Sequence, residues 1–463
     1  MTRSLFLRAS IFAPTCFVLL LVVPAPAWSQ SDTNQTEDVY TKPVDDSPMR
    51  VPSPVSGGSY DTGFTSEAEE SNYLRGGLTI TGAYSSNVSG GQTPVGDESY
   101  SLWPTITLDK KTTRLHYALT YSPGFTIYQH YSAFNQGNQN VVFDSQYRLS
   151  PHVTASLNES FQKTSNIFNQ PNPLSVISVS GSAPSPGQAI FPPVGNQLTN
   201  ATNAQITYQC DENSMIGVSG TYNTLHFSNP TEATGLYGSN SGAGSAFYSR
   251  HLRGKYYLGA SYRYANISSY QSGAQSNNTN NNTNTHTQTQ TIFMFFTIQL
   301  KPALSISFSG GPQHTISTQS PLPAVRSWSP LTMVSVGWQG SRTSLAASYS
   351  RIVSGAGGLN GAFRSNTANA SARWQVSRTW SLGASASYSL YNTLTPLFVL
   401  ASSGGHTVSG TVSVQHQLGE HLDAQAGYSW VQQNYSGSTA SSTFPNTNRV
   451  FVSISYRFER PLK

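Results

Sequence analysis

Ten histidines, twenty acids and two cysteines are the residues of this chain from which acid–base, nucleophilic or metal chemistry could be built. A hydrolase needs a nucleophile, a base and an orienting group held together in space, or two carboxylates facing one another. No such grouping is visible. The histidines scatter over turns, loops and both faces of the segments described below, and neither a Gly-rich phosphate loop nor a His-Glu-x-x-His pair occurs. Cys16 lies in an N-terminal export segment, which leaves Cys210 alone and allows neither an internal disulfide nor a thiolate zinc cluster. The reading is of a non-enzyme with no metal and no cofactor. What remains is fixed charge on a hydroxyl-rich polar face: Arg75, Arg148, Arg263, Arg373 and Arg457, with Asp144 and Asp423. Guanidinium groups lining a wet passage favour anions. A plainer alternative pairs Arg148 with Asp144 on one strand face and leaves the other arginines at rims.

These charges ride on a pattern that repeats from Tyr73 to Phe458. Apolar and small polar residues alternate for about ten positions, a turn follows, and the alternation resumes. Thr407-Val408-Ser409-Gly410-Thr411-Val412-Ser413-Val414 is one instance. Period-two alternation gives every strand one greasy and one wet face, and no helix is predicted that could cover the greasy one. About eighteen strands are expected, with sixteen as the alternative, and their connections sort by parity. One set is tight, such as 110–113 and 377–379. The other is long, such as 163–201, 315–327 and 353–363. An even number of strands with short turns alternating with long loops predicts an all-β chain: one transmembrane antiparallel β-barrel with short periplasmic turns and long extracellular loops. The outward set includes Leu115, Tyr117 and Leu119, then Ile292, Met294 and Phe296. Two places resist the pattern. Glu159 falls on the lipid face, which suggests a register shift or bulge, and the strand at 243–251 shows no clear face.

Composition agrees. Charged residues make up 10% of the chain, against about 25% in an ordinary soluble protein. Residues 1–29 read as a signal peptide: Arg3 and Arg8, an apolar centre from Ile11 to Val23, and small residues at the cleavage site. Residues 30–72 carry nine acids against Lys42 and Arg50, with scattered prolines, and read as a flexible acidic periplasmic leader. Residues 73–463 form the barrel, with 21 Lys or Arg against 11 acids. The plain reading of this split is a solvated acidic leader attached to a basic body; the sharper alternative is that the basic body meets anions, either lipid head groups or solutes. No nucleic-acid partner is expected.

The last alternating stretch, Val450-Phe451-Val452-Ser453-Ile454-Ser455-Tyr456-Arg457-Phe458, ends in an aromatic residue. It resembles the C-terminal assembly signal of bacterial outer-membrane barrels, except that Glu459 to Lys463 extend past the aromatic. With the pattern over 73–458, the chain is similar to the porin-like outer-membrane β-barrel proteins. That resemblance implies a bacterial outer-membrane location, contact with outer-membrane lipid and lipopolysaccharide, and delivery through the barrel-assembly machinery by the terminal strand. A homo-oligomer is among the assemblies it admits. It also implies that the third outer connection, 163–201, folds inward and narrows the passage, with Phe168, Pro171, Pro173, Val176 and Ile177 as constriction candidates. The expected function is passive diffusion of small hydrophilic solutes with an anion bias. An export or secretion barrel, for a polysaccharide for example, is the runner-up. A structural or adhesive barrel with a plugged lumen comes third.

Overall fold

The computed structural model describes residues 72–88, 94–164, 196–228, 237–252, 255–271, 284–301, 303–319, 322–355, 361–394, 404–436 and 446–462. The signal-peptide and leader expectations, Asn72 apart, lie outside the described residues, as do the five constriction candidates in 163–201.

The strands in chain order are β1 (Tyr73–Ser85), β2 (Asp97–Lys111), β3 (Leu115–Tyr121), β4 (Gly124–Tyr128), β5 (Gln136–Arg148), β6 (Val153–Thr164), β7 (Gln197–Asp211), β8 (Ser214–Phe227), β9 (Tyr237–Leu252) and β10 (Tyr256–Gln271). They continue with β11 (Thr285–Lys301), β12 (Leu304–Gln319), β13 (Leu322–Gln339), β14 (Thr343–Gly355), β15 (Ala362–Gln375), β16 (Trp380–Thr393), β17 (Gly404–Gln417), β18 (Leu422–Ser436) and β19 (Thr447–Pro461). All form one antiparallel sheet that closes where β1 meets β19, from Tyr73↔Pro461 to Ser85↔Arg449. β3 and β4 share one place in the wall. Ile106↔Tyr121 and Leu102↔Phe125 keep the same offset on β2, so Pro123, which has no N–H, interrupts the ladder without shifting it. The barrel therefore has eighteen strand positions, as the alternation predicts.

Alternation explains the wall. On β11, Ile292 and Met294 point outward and are 59% and 67% exposed, while Phe293 between them points inward and is 6% exposed. Outward rings gather near the short-turn end, including Tyr147, Tyr208, Trp338, Trp374, Trp380 and Tyr456. Such girdles sit at the head-group level of a membrane. The inner hydroxyls satisfy one another across strands, as in Ser101–Thr126, Thr287–Ser317 and Thr297–Ser307, each 2.9 Å apart. Cross-strand pairs of this kind contribute about 0.2–1 kcal/mol each.

Three sequence expectations are corrected. The connection expected at 315–327 is mostly strand: β12 runs to Gln319 and β13 starts at Leu322, because Thr315, Ser317 and Ile316 keep alternating. No bulge relieves Glu159. It pairs in unbroken register with Phe143 and Thr202 and stays on the outer face. The faceless segment at 243–251 belongs to β9 and does have faces, with Phe247 and Ser249 buried inward and Tyr248 and Arg250 outward. Gly, Ala and Ser on both sides hid them.

Candidate functional site in the barrel lumen

The register places all seven predicted charges on the inner face, spread over β1, β5, β10, β15, β18 and β19. They are not gathered at one level. Near the short-turn end, four groups alternate in sign across the closure: Arg457 binds Asp423, and Arg75 Nε lies 2.8 Å from Glu459 Oε1. The residues past Phe458 thus carry a closing contact. Arg373 Nη2 donates to Gln415 Oε1 at 3.3 Å. Asp144 accepts a hydrogen bond from Asn158. Arg148 lies four residues along the same face, at the end of β5.

Arg263 differs. It lies deep within the barrel between Ser245 and Thr291, yet its side chain is open to the lumen. It makes no ion pair among the described residues. The surrounding sequence holds no counter-charge either, since no Asp or Glu occurs between Glu232 and Glu420. Strands β9 to β17 carry only positive charge, and the acids of the barrel belong to the rest of the wall.

The interior is less bland than its hydroxyl pattern suggests. Trp103, Phe293, Phe295, Leu331, Phe363 and Phe451 all point inward and are buried. Phe293, Phe295 and Leu331 form a cluster that Met333 and Ile352 extend. The reason lies in β14 and β15, whose far ends leave the wall and cross the interior. Gly355 reaches β9 and β10, where an added Cβ would sit in ordinary contact, 3.5 Å from Ser239 Oγ and from Ile267 Cγ2. Ser269 Oγ donates to the carbonyl of Gly361 at 3.4 Å. Gly361 has φ 90°, a conformation that costs glycine little. Water therefore has an asymmetric space. Along β2, β3 and β5 the inner residues Thr107, Thr120, Asp144 and Gln146 are half-buried or exposed, whereas along β11 and β12 Thr289, Thr291, Ser307 and Ser309 are buried.

Sequence reasoning missed the inward rings and the inward turn. Odd-position Phe293 and Phe295 sit in a run that is apolar at nearly every position, so alternation in size was their only signal. Among the described residues, no three His, Cys, Asp or Glu side chains are placed to hold a metal ion.

Fold and interior together define a transmembrane β-barrel with a charged, partly filled lumen. No family model matches the chain, and no curated protein does. Solved structures with a similar barrel include OprD of Pseudomonas aeruginosa, at 9% identity and TM-score 0.39, covering 83% of this chain and 95% of that one. Another is OccAB4 of Acinetobacter baumannii, at 8% identity and TM-score 0.40, covering 84% and 99%. A third is the FrpB iron transporter of Neisseria meningitidis (F5-1 variant), at 9% identity and TM-score 0.42, covering 84% and 83%. At such identities and overlaps, the cargo of those proteins says nothing about the cargo of this one.

Proposed function

We propose that this barrel is an outer-membrane channel of a Gram-negative cell, passing small hydrophilic solutes by diffusion with a preference for anions. Arg263 carries the reading: a guanidinium deep in the lumen, open to water, on a sector of wall that has no acid. A fixed cation there raises the local concentration of anions without holding any one of them. The half-exposed hydroxyls and amides along β2 to β6 support the water column, and the inward ends of β14 and β15 narrow it from the opposite side. Arg75 and Arg457 have a structural part instead, because each is already matched by a carboxylate at the closure. The apolar outer belt meets outer-membrane lipid and lipopolysaccharide, and β19 is the strand offered to the assembly machinery.

Planar-bilayer recording of the refolded chain tests this. The expected result is stable ohmic steps with an anion-biased reversal potential under a salt gradient. A unit charge about 8 Å from a permeating ion is worth about 0.5 kcal/mol in water, so Arg263→Gln should lower the anion-to-cation permeability ratio by about twofold or more. Arg75→Gln, which removes a matched charge, should change it less. Electrical silence would remove the open channel, and an unchanged ratio in Arg263→Gln would remove the anion preference.

A further inference from the structure

The wall has a seam. Strands β13 and β14 pair only from Gln339↔Ser344 to Thr332↔Arg351. Beyond that pair β13 continues to Leu322, still bonded to β12 as far as Gln319↔Leu322, and β14 continues to Gly355, still bonded to β15 as far as Gly355↔Ala362. The two continuations do not pair with each other. Pro330 has no N–H to give across the seam, and directly opposite it on β12 stands Pro312. The end of β14 has meanwhile turned into the lumen, toward Ser239 and Ile267.

Apolar surface meets this seam from both sides. Outside lies a groove of about 660 Å³. Its floor is Gly310, Pro312, Pro330 and Thr332, whose small side chains leave a hollow between Phe308 and Trp328. Trp328 is 70% exposed. Inside lies the Phe293–Phe295–Leu331 cluster with Met333 and Ile352. Leu331 belongs to both the groove and the cluster, so one residue separates the two surfaces.

Charge completes the picture. Arg351 stands opposite Thr332 at the edge of the groove, Arg326 lies on β13 beyond Trp328, and Arg364 is on β15. The Nε atoms of Arg351 and Arg364 are covered and have no hydrogen-bond partner among the described residues. No acid lies on any strand from β9 to β17 to neutralise them. An unpaired guanidinium beside an apolar groove suits one kind of molecule, an anion joined to a hydrocarbon chain.

We propose that the seam between β13 and β14 is a binding site for a long-chain carboxylate. Its chain lies in the Gly310–Pro312–Pro330–Thr332 groove and its carboxylate on Arg351. This goes beyond the aqueous channel and does not depend on it.

Photo-crosslinking tests the proposal. The full chain in nanodiscs is exposed to a diazirine-bearing hexadecanoate, and adducts are mapped by peptide mass spectrometry. Labelling is expected to concentrate on 308–312 and 328–332, relative to the outer faces of β18 and β19, and to fall when unlabelled hexadecanoate is added. Loss of one charge-assisted contact weakens binding by about tenfold or more, so Arg351→Gln should abolish the excess while the barrel stays folded. Gly310→Leu, which fills the hollow, should do the same through shape alone. Even labelling around the belt, equal labelling by the corresponding alcohol, or an excess that survives both substitutions would each overturn the site. Equal competition by outer-membrane phospholipid would mean a resident lipid and not a carboxylate ligand. The reversal potential of Arg351→Gln should match the parent, which separates this test from that of Arg263.

Discussion

Glu159 sits between Leu157 and Phe161 on the outer face of β6, in register with Phe143 and Thr202. Acyl chains cannot solvate a carboxylate, and an acidic side chain in this belt costs about 1–2 kcal/mol. Glu159→Leu is therefore expected to raise the stability of the barrel in lipid vesicles by that amount, read from urea unfolding. An unchanged or lower stability would mean that protein, not lipid, covers this part of the wall. Asp97 shows the opposite case, a carboxylate the fold satisfies. It lies at the loop rim, beyond the apolar belt that begins at Tyr100. Burial pushes its pKa up, but stronger together are the hydrogen bonds from the His130 ring and from the N–H groups of Tyr131, Glu98 and His130, which hold it below the ordinary value. A carboxyl with a lowered folded pKa stabilises above its unfolded value and loses that contribution as pH falls through the folded one. Thermal stability should then drop as pH falls below about 5, and Asp97→Asn should flatten that part of the profile. An unaltered profile would show that the clamp on His130 and Tyr131 adds nothing.

Much at the level of elements was legible in the sequence, because alternation and turn spacing are local. The positions of Val408 to Val414 or Leu304 to Phe308 could be assigned to faces without knowing any neighbour. What could not be read depends on strands far apart in the chain. Arg75 finds Glu459 only because the first strand meets the last, and the inward turn of β14 is recorded in contacts with β9 and β10. Prolines punctuate less here than their type suggests. Pro323 lies within β13, and Pro312 and Pro330 stand opposite one another in paired strands. Their neighbour Gly311 shows how tightly β11 and β12 approach. A Cβ there would lie 2.0 Å from the Ile292 carbonyl oxygen and 2.7 Å from Phe293 Cα. Backbone cannot step aside as a side chain can. Gly311→Ala should cost about 1–3 kcal/mol, visible as a lower denaturation midpoint, and a neutral result would mean that the two strands can separate at this point.

Across the whole molecule, positive charge and bulk fall on the same side. Strands β9 to β17 carry no acid, and they also hold the buried Thr and Ser rows and the Phe293–Phe295–Leu331 cluster. Strands β1 to β8 carry Asp97, Asp109 and Asp144 and hold the inner residues that water reaches. A solute in the remaining space therefore meets a cationic wall on one flank and mixed charge on the other. The closing ladder has a further consequence, which concerns time. Thr79 and Ser455 face each other with hydroxyls 2.9 Å apart although 376 positions separate them. Chain entropy taxes so distant a contact by about 3 kcal/mol more than a ten-residue loop, and contacts of this range are also slow to form. Until residue 447 and those after it are in place, β1 has no β19 to bond, and the partly built sheet has an open edge at either side. A ribosome that stalls within the last strand would thus release a chain that is almost complete in sequence and has every hazard of an unfinished one.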